Sequence, residues 1–256
     1  MNKPGQLLLY WDYELQAGAD SSRIGVKMSG SEDYHQTEKI LDLLDEYGVK
    51  SVFAVLGFAA QNGELPYHAP AQIRKIAERG HEVASHTWKH EWIPTMTEQQ
   101  LRQVLRQSKQ ALESVIGKPV ISFAPPWNVP TRYWRKFAPG FYDWRGGYPR
   151  TDIPALCRAL CAEGFKTSRV DYEPLSASIS RHAFKRVVSE PVKMAYEKDI
   201  LCFKVNGSGF GSSSQEMLRR IAESGGLAVI FAHPHSLAAE NDQNIQHFQE
   251  ERKGCG

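Results

Sequence analysis

Two histidines four residues apart, His86 and His90, close the stretch Gly80-His81-Glu82-Val83-Ala84-Ser85-His86-Thr87-Trp88-Lys89-His90, just after a short apolar strand. On one helical turn or in a tight loop their side chains share a face. Two neutral imidazoles on one face are two-thirds of an open zinc site, which takes three protein ligands and leaves a position for water. A carboxylate from elsewhere would complete it. Asp12 and Glu14 end the apolar run Gln6–Trp11, and period-two strand geometry sends both to one side. Two carboxylates so placed are stable when a cation or a shared proton lies between them. Each pattern alone also fits a solvated surface, since surface helices carry such histidine pairs by chance and strand ends carry exposed acids.

The whole string from Gly80 to His90 resembles the metal-binding segment of the NodB-type polysaccharide deacetylases, carbohydrate esterase family four. That family usually opens on two adjacent aspartates, a base and a metal ligand. Tyr13 occupies the second position here, and Asp12-Tyr13-Glu14 is similar to the acid-x-acid arrangement of some branches. The resemblance implies that Glu14, His86 and His90 hold one divalent metal ion, with zinc expected, and that Asp12 is the catalytic base. Ala124-Pro125-Pro126-Trp127-Asn128 is similar to the family's Arg-x-Pro-aromatic motif. It implies substrate contacts at Pro126, Trp127 and Asn128, although a packing role suits Trp127 as well. Ala124 stands where the family has an arginine, so another cation, Arg145 or Arg169, is expected beside the base. The apolar strand ending in Ala232-His233-Pro234-His235 is similar to the final motif. That makes His233 the implied proton donor, His235 a bystander and Asp171 the candidate partner of the late histidine.

These residues need a scaffold that brings four strand ends to one rim. Strands are predicted at Gln6–Trp11, Ser51–Leu56, Val83–Ala84, Val120–Phe123, Phe165–Asp171, Ile200–Val205 and Leu227–Phe231. Helices are predicted over 33–47, 69–79, 97–116, 153–163 and 212–223, several ended by glycine. The clearest is 97–116, with Thr97 as N-cap and Leu101, Val104, Leu105, Ser108, Leu112 and Val115 along one face. Alternating strands and helices argue for parallel β/α units. The fold implied is α/β, a distorted (β/α) barrel of the NodB type, as one domain over residues 1–256. Gln16–Ser31 reads as a loop over the site, and 137–150 as an aromatic cluster that suits sugar stacking or a buried core. Asn206–Gly211 lacks the Gly-Lys-Ser/Thr ending of a phosphate loop. The stretch 174–191 carries no clear signal.

Composition narrows the partners. With 31 Lys and Arg against 29 Asp and Glu, the net charge is +2, and no basic run favours nucleic acid. No apolar run approaches the ~20 residues of a membrane span, and Leu7-Leu8-Leu9 is too short for a signal-peptide core. Cys157, Cys161, Cys202 and Cys255 include no C-x-x-C pair. They read as reduced thiols of a cytoplasmic protein, with a Cys157–Cys161 metal half-site as the alternative. The expected activity is metal-dependent removal of an N-acetyl or other small N-acyl group from an amino sugar or glycoconjugate. A cytoplasmic enzyme would meet a small glycoside, a nucleotide-linked sugar or a lipid-linked sugar. Two alternatives stand beside it: hydrolysis of a non-sugar, ureide-like amide on the same fold, and a non-catalytic carbohydrate-binding protein on a degenerate scaffold.

Overall fold

The computed structural model describes residues 4–21, 30–128, 152–170 and 194–237. The expectations for Arg145, Asp171, the aromatic stretch 137–150, the segment 174–191 and Cys255 therefore lie outside the described residues. In chain order the elements are β1 (Gly5–Tyr13), α1 (Leu15–Ser21), α2 (Gly30–Glu46), β2 (Val52–Val55), α3 (Pro70–Glu78), β3 (Glu82–Ser85), α4 (Glu98–Ile116), β4 (Ser122–Phe123), α5 (Ile153–Ala162), β5 (Thr167–Ser168), β6 (Met194–Glu197), β7 (Ile200–Phe203), β8 (Gly207–Ser208), α6 (Ser212–Ser224) and β9 (Gly226–Ala232). They form one nine-stranded sheet in the order β6-β7-β5-β4-β3-β2-β1-β9-β8. Every described pairing is parallel except β6 with β7. Parallel order puts the carboxyl ends of β1, β2, β3, β4, β5 and β9 on one rim, as the barrel expectation requires.

Strand β1 shows how the alternation works. Leu9, Trp11 and Tyr13 face the helices, where they pack with Ile40, Leu41 and Leu44 of α2 and Ile73 and Ile76 of α3. Tyr10 faces the other way, into a smaller cluster with Ala54, Ala84, Ala124, Phe203 and Val229. The three alanines leave room for the sheet to curl around this inner face. Asp12 shares parity with Tyr10, so it points inward. Tyr13 sends its hydroxyl outward to donate to Gln72 Oε1 on α3. The acid-x-acid spacing thus buries its middle residue in the helix layer.

Helix α4 matches its sequence signals. Thr97 and Gln100 form a capping box, and Gly117 ends the helix in the left-handed region at φ 66°. Leu101, Leu105, Ser108 and Leu112 are its buried face. Two expectations need correction. The predicted loop 16–31 includes a helix, α1, whose N-terminus is capped from α2 rather than locally: Asp33 Oδ2 accepts the Leu15 and Glu14 N–H groups. Cys157 and Cys161 do not share an environment, since Cys157 is buried and Cys161 exposed. The thiol facing Cys157 is Cys202, at 3.7 Å.

His81, just ahead of β3, gives the fold an acid limit. It is buried, and its Nδ1 accepts the Ser51 N–H at 3.3 Å, so its lone pair must stay free of a proton. Burial, together with the Lys50 ammonium, pulls it from 6.5 down to about 4. The unfolded chain therefore takes up the proton first, and stability falls as pH drops from about 6.5 toward 4. Between about pH 7.5 and about pH 5 the expected loss is roughly 2 kcal/mol. Urea unfolding at both pH values should show a change on acidification that is less destabilising by that amount in His81→Gln than in the wild type.

Candidate active site

The site residues gather at and beyond the carboxyl ends of the strands. Glu14 follows β1, where the chain turns sharply into α1 with Leu15 at φ 51°. His86 follows β3, and the segment to His90 is a tight loop rather than a helix, with Thr87 at φ 68° and His90 at φ 65°. The loop is tied down from several sides. Thr87 O accepts from Gly57 N and Ser108 Oγ, and Trp88 O accepts from Phe58 N. The Glu91 carboxylate accepts the Trp88 and Lys89 N–H groups. Among the described residues six non-glycines have positive φ. Lys198 and Asp199 make the β6–β7 turn, where such angles are normal. The other four, Leu15, Thr87, His90 and Trp127, all belong to this rim, and strained backbone gathers where geometry is set by function.

The centre is Glu14 Oε1. His90 Nε2 lies 3.1 Å from it, His233 Nε2 3.2 Å and His86 Nε2 3.4 Å. The far ring nitrogens fix the tautomers. His86 Nδ1 is 2.8 Å from Ala124 O, which can only accept. His90 Nδ1 is 2.7 Å from Ser21 Oγ, whose own proton goes to Gly18 O. Both Nδ1 atoms therefore donate. In the neutral rings both Nε2 atoms carry lone pairs aimed at a buried carboxylate, and neither has a hydrogen-bond partner. Electron-rich atoms converging in this way need protons or a cation between them. Ligand atoms of Glu14, His86 and His90 lie within 4.8 Å of one another, and their outer nitrogens are oriented as metal-binding imidazoles are. The residues present fit a divalent ion.

Asp12 is balanced separately. Arg169, at the end of β5, grips it with two parallel bonds, Nη1 to Oδ1 at 2.6 Å and Nη2 to Oδ2 at 2.8 Å, with both side chains buried. The guanidinium carbon lies 5.0 Å from the Tyr10 ring centroid and 5.2 Å from that of Phe231. Burial alone would raise the Asp12 carboxyl, but Arg169, His86 and His233 hold it below its ordinary value. Glu14 behaves alike: burial opposes its ionisation, and His90, His233 and His86 outweigh that, leaving it well below the usual range. For His233, burial acts downward, while the bond to Glu14 and the charges of Glu14, Asp12 and Asp33 lift it to about 9. Ligand atoms of Asp12, Glu14 and His233 also lie within 4.8 Å of one another.

The sequence expectations can now be placed. Asp12, Glu14, His86, His90, His233 and Arg169 converge, and of the two arginines named for the Ala124 gap, Arg169 is the one seen on the base. Pro126 is buried, and Trp127, at φ 55°, sets its ring 4.2 Å from His90 and 5.3 Å from Trp92. The Asn128 side chain, Arg145 and Asp171 lie outside the described residues. His235 is no bystander, because its backbone and Nδ1 both donate to Asp33.

Known proteins resemble this chain in sequence and in fold. A family model described as polysaccharide deacetylase matches residues 30–138. A chitin deacetylase of Pestalotiopsis sp is 32% identical over 91 residues, covering 36% of this chain and 30% of that protein. A chitooligosaccharide deacetylase of Rhizobium leguminosarum bv. trifolii is 33% identical over 102 residues, covering 40% and 43%. The crystal structure of a candidate polysaccharide deacetylase from Mycobacterium smegmatis shares the fold, with TM-score 0.64 and 19% identity over 98% of this chain and 85% of that one. These matches support the resemblance to the NodB-type polysaccharide deacetylases. The chain spans less than half the length of these two curated relatives.

Within this site, three supporting residues carried no local signal: Ser21, Asp33 and Gly18. Gly18 presses on Glu14, and a methyl group there would overlap the Glu14 Cβ and Oε2. Gly18→Ala should therefore displace the carboxylate. It should weaken zinc binding by about 10- to 100-fold, as loss of an outer support does, with a chelator competition as the measurement.

Proposed function

We propose that this chain is a divalent-metal-dependent hydrolase that removes an N-acetyl or other small N-acyl group from an amino sugar or glycoconjugate. The observation that carries the reading is the pair of Nε2 lone pairs facing the buried Glu14 carboxylate. Glu14, His86 and His90 would hold the ion, zinc being the expected one. Bound there, it would supply Lewis acidity toward an amide carbonyl and lower the pKa of a water. Asp12, oriented by two bonds from Arg169, is placed to take a proton from an attacking water. His233 reaches the same centre and is the group to protonate the departing amine, a poor leaving group otherwise. Trp127 offers an aromatic wall beside His90, suited to the face of a sugar ring.

The family departure at Ala124 favoured two alternatives, a ureide-like amide substrate and a non-catalytic binding protein. Arg169 supplies the missing positive charge to Asp12 from another strand, which supports a working base and weakens the second alternative. No helix among the described residues is long and apolar enough to cross a membrane. Small glycosides, nucleotide-linked sugars and lipid-linked sugars are the substrates to screen.

The test is acetate release from N-acetylated sugars measured beside ring opening of cyclic ureides. His233→Ala should keep its metal and lose about 10²- to 10⁴-fold in kcat, the usual contribution of a positioned acid. Ureide opening without acetate release would replace the sugar reading. Neither activity in a metal-loaded protein would favour the binding scaffold.

A further inference from the structure

Asp33 lies in α2, distant in sequence from the residues given roles above, and is 1% exposed. Its two oxygens serve two different corners of the rim. Oδ2 accepts the N–H groups of Leu15 at 2.9 Å and Glu14 at 3.3 Å. Oδ1 accepts the His235 backbone N–H at 3.0 Å and the His235 Nδ1–H at 2.7 Å. The first corner presents Glu14 and contains the left-handed Leu15, a conformation that leucine does not favour on its own. The second corner presents His233, and it is stiffened by Ser236, whose N–H and hydroxyl both donate to His233 O. A plain helix cap would use one oxygen. Here the second oxygen carries the constraint across to another strand end.

We propose that Asp33 is a positioning residue of this site. By holding the Glu14 corner with one oxygen and the His233 corner with the other, it sets the metal-holding carboxylate and the proton donor at a fixed separation. The proposal rests on the hydrolase reading above. An aspartate that only capped α1 would affect stability alone, whereas a tie between corners affects metal affinity and turnover together.

The experiment compares wild type, Asp33→Ala, Asp33→Asn and Leu112→Ala, the last a buried leucine of α4 outside the site. Zinc affinity is read by competition with a chromophoric chelator. Turnover is read as acetate release from an N-acetylglucosamine trimer, and amide hydrogen exchange is followed at Leu15 and His235. In Asp33→Ala the expected result is about tenfold weaker zinc binding and about hundredfold lower kcat, with KM changed much less. Protection should be lost at both amides together. Asp33→Asn keeps one accepting oxygen and should fall between, and it carries the test if Asp33→Ala does not fold. Leu112→Ala should lose stability with zinc affinity and kcat of the folded protein unchanged.

Unchanged zinc affinity and kcat in Asp33→Ala, or protection lost at one corner only, overturns the proposal. A wild type that neither holds zinc nor releases acetate defeats the hydrolase reading instead. Amide exchange then decides the tie alone: joint loss supports it, and independent loss overturns it.

Discussion

Arg169→Leu should destabilise the protein by about 3–5 kcal/mol, the cost of leaving one member of a buried ion pair without its partner. Both Asp12 and Arg169 are buried, and their bonds are parallel and short. Burial then acts on Asp12 without its largest opponent, so the carboxyl is driven toward the protonated form that cannot serve as a base. Acetate release should fall along with stability. The double variant Asp12→Asn with Arg169→Leu separates the two effects. It removes the stranded charge, so most of the stability should return, while activity should stay low because no base is present. Urea unfolding of the wild type, both single variants and the double variant closes the cycle. An Arg169→Leu protein as stable as wild type would show that the pair is not buried as described. Arg169→Lys keeps the charge but loses the two-pronged grip, and should fall between.

His86→Ala should abolish tight metal binding. Loss of an outer-shell support costs about 10- to 100-fold in affinity, and the loss of one of the three proposed ligands should exceed that. Turnover should drop to background. The variant also strands the Ala124 carbonyl that His86 Nδ1 now satisfies, worth about 1–3 kcal/mol for a buried polar group. Isothermal titration with zinc, run beside urea unfolding, distinguishes a folded apo protein from a collapsed one. A folded His86→Ala chain that still holds one tight zinc would refute the ligand assignment.

The chemistry-bearing residues were legible where local geometry encodes them. Period-two alternation places Asp12 and Glu14 on one side of β1 and hides Tyr13 among the helices. The spacing of His86 and His90 brings them to one face, in a tight loop held by Gly57, Phe58, Ser108 and Glu91. The core face of α4 and its N-cap, Thr97, were equally readable. What stayed hidden depends on pairing across the chain. Arg169 was legible only as one of two cations for the Ala124 gap, because nothing local singles it out as the partner of a carboxylate 157 residues away. Helix α1 has no local cap, and its run of Gly, Ala and Ser suits a loop; it forms because Asp33 reaches over from α2. Asp33 itself reads as an ordinary acid in the first turn of a helix. His235 looked idle beside His233 for the same reason, since its partner lies 202 residues earlier.

The central claim is that Glu14, His86 and His90 form one metal site. The most direct test is elemental analysis of the protein after incubation with zinc and dialysis, beside Glu14→Ala treated alike. The expected result is about one zinc per chain in the wild type and almost none in Glu14→Ala. No retained metal in the wild type, or equal metal in both proteins, would contradict the account.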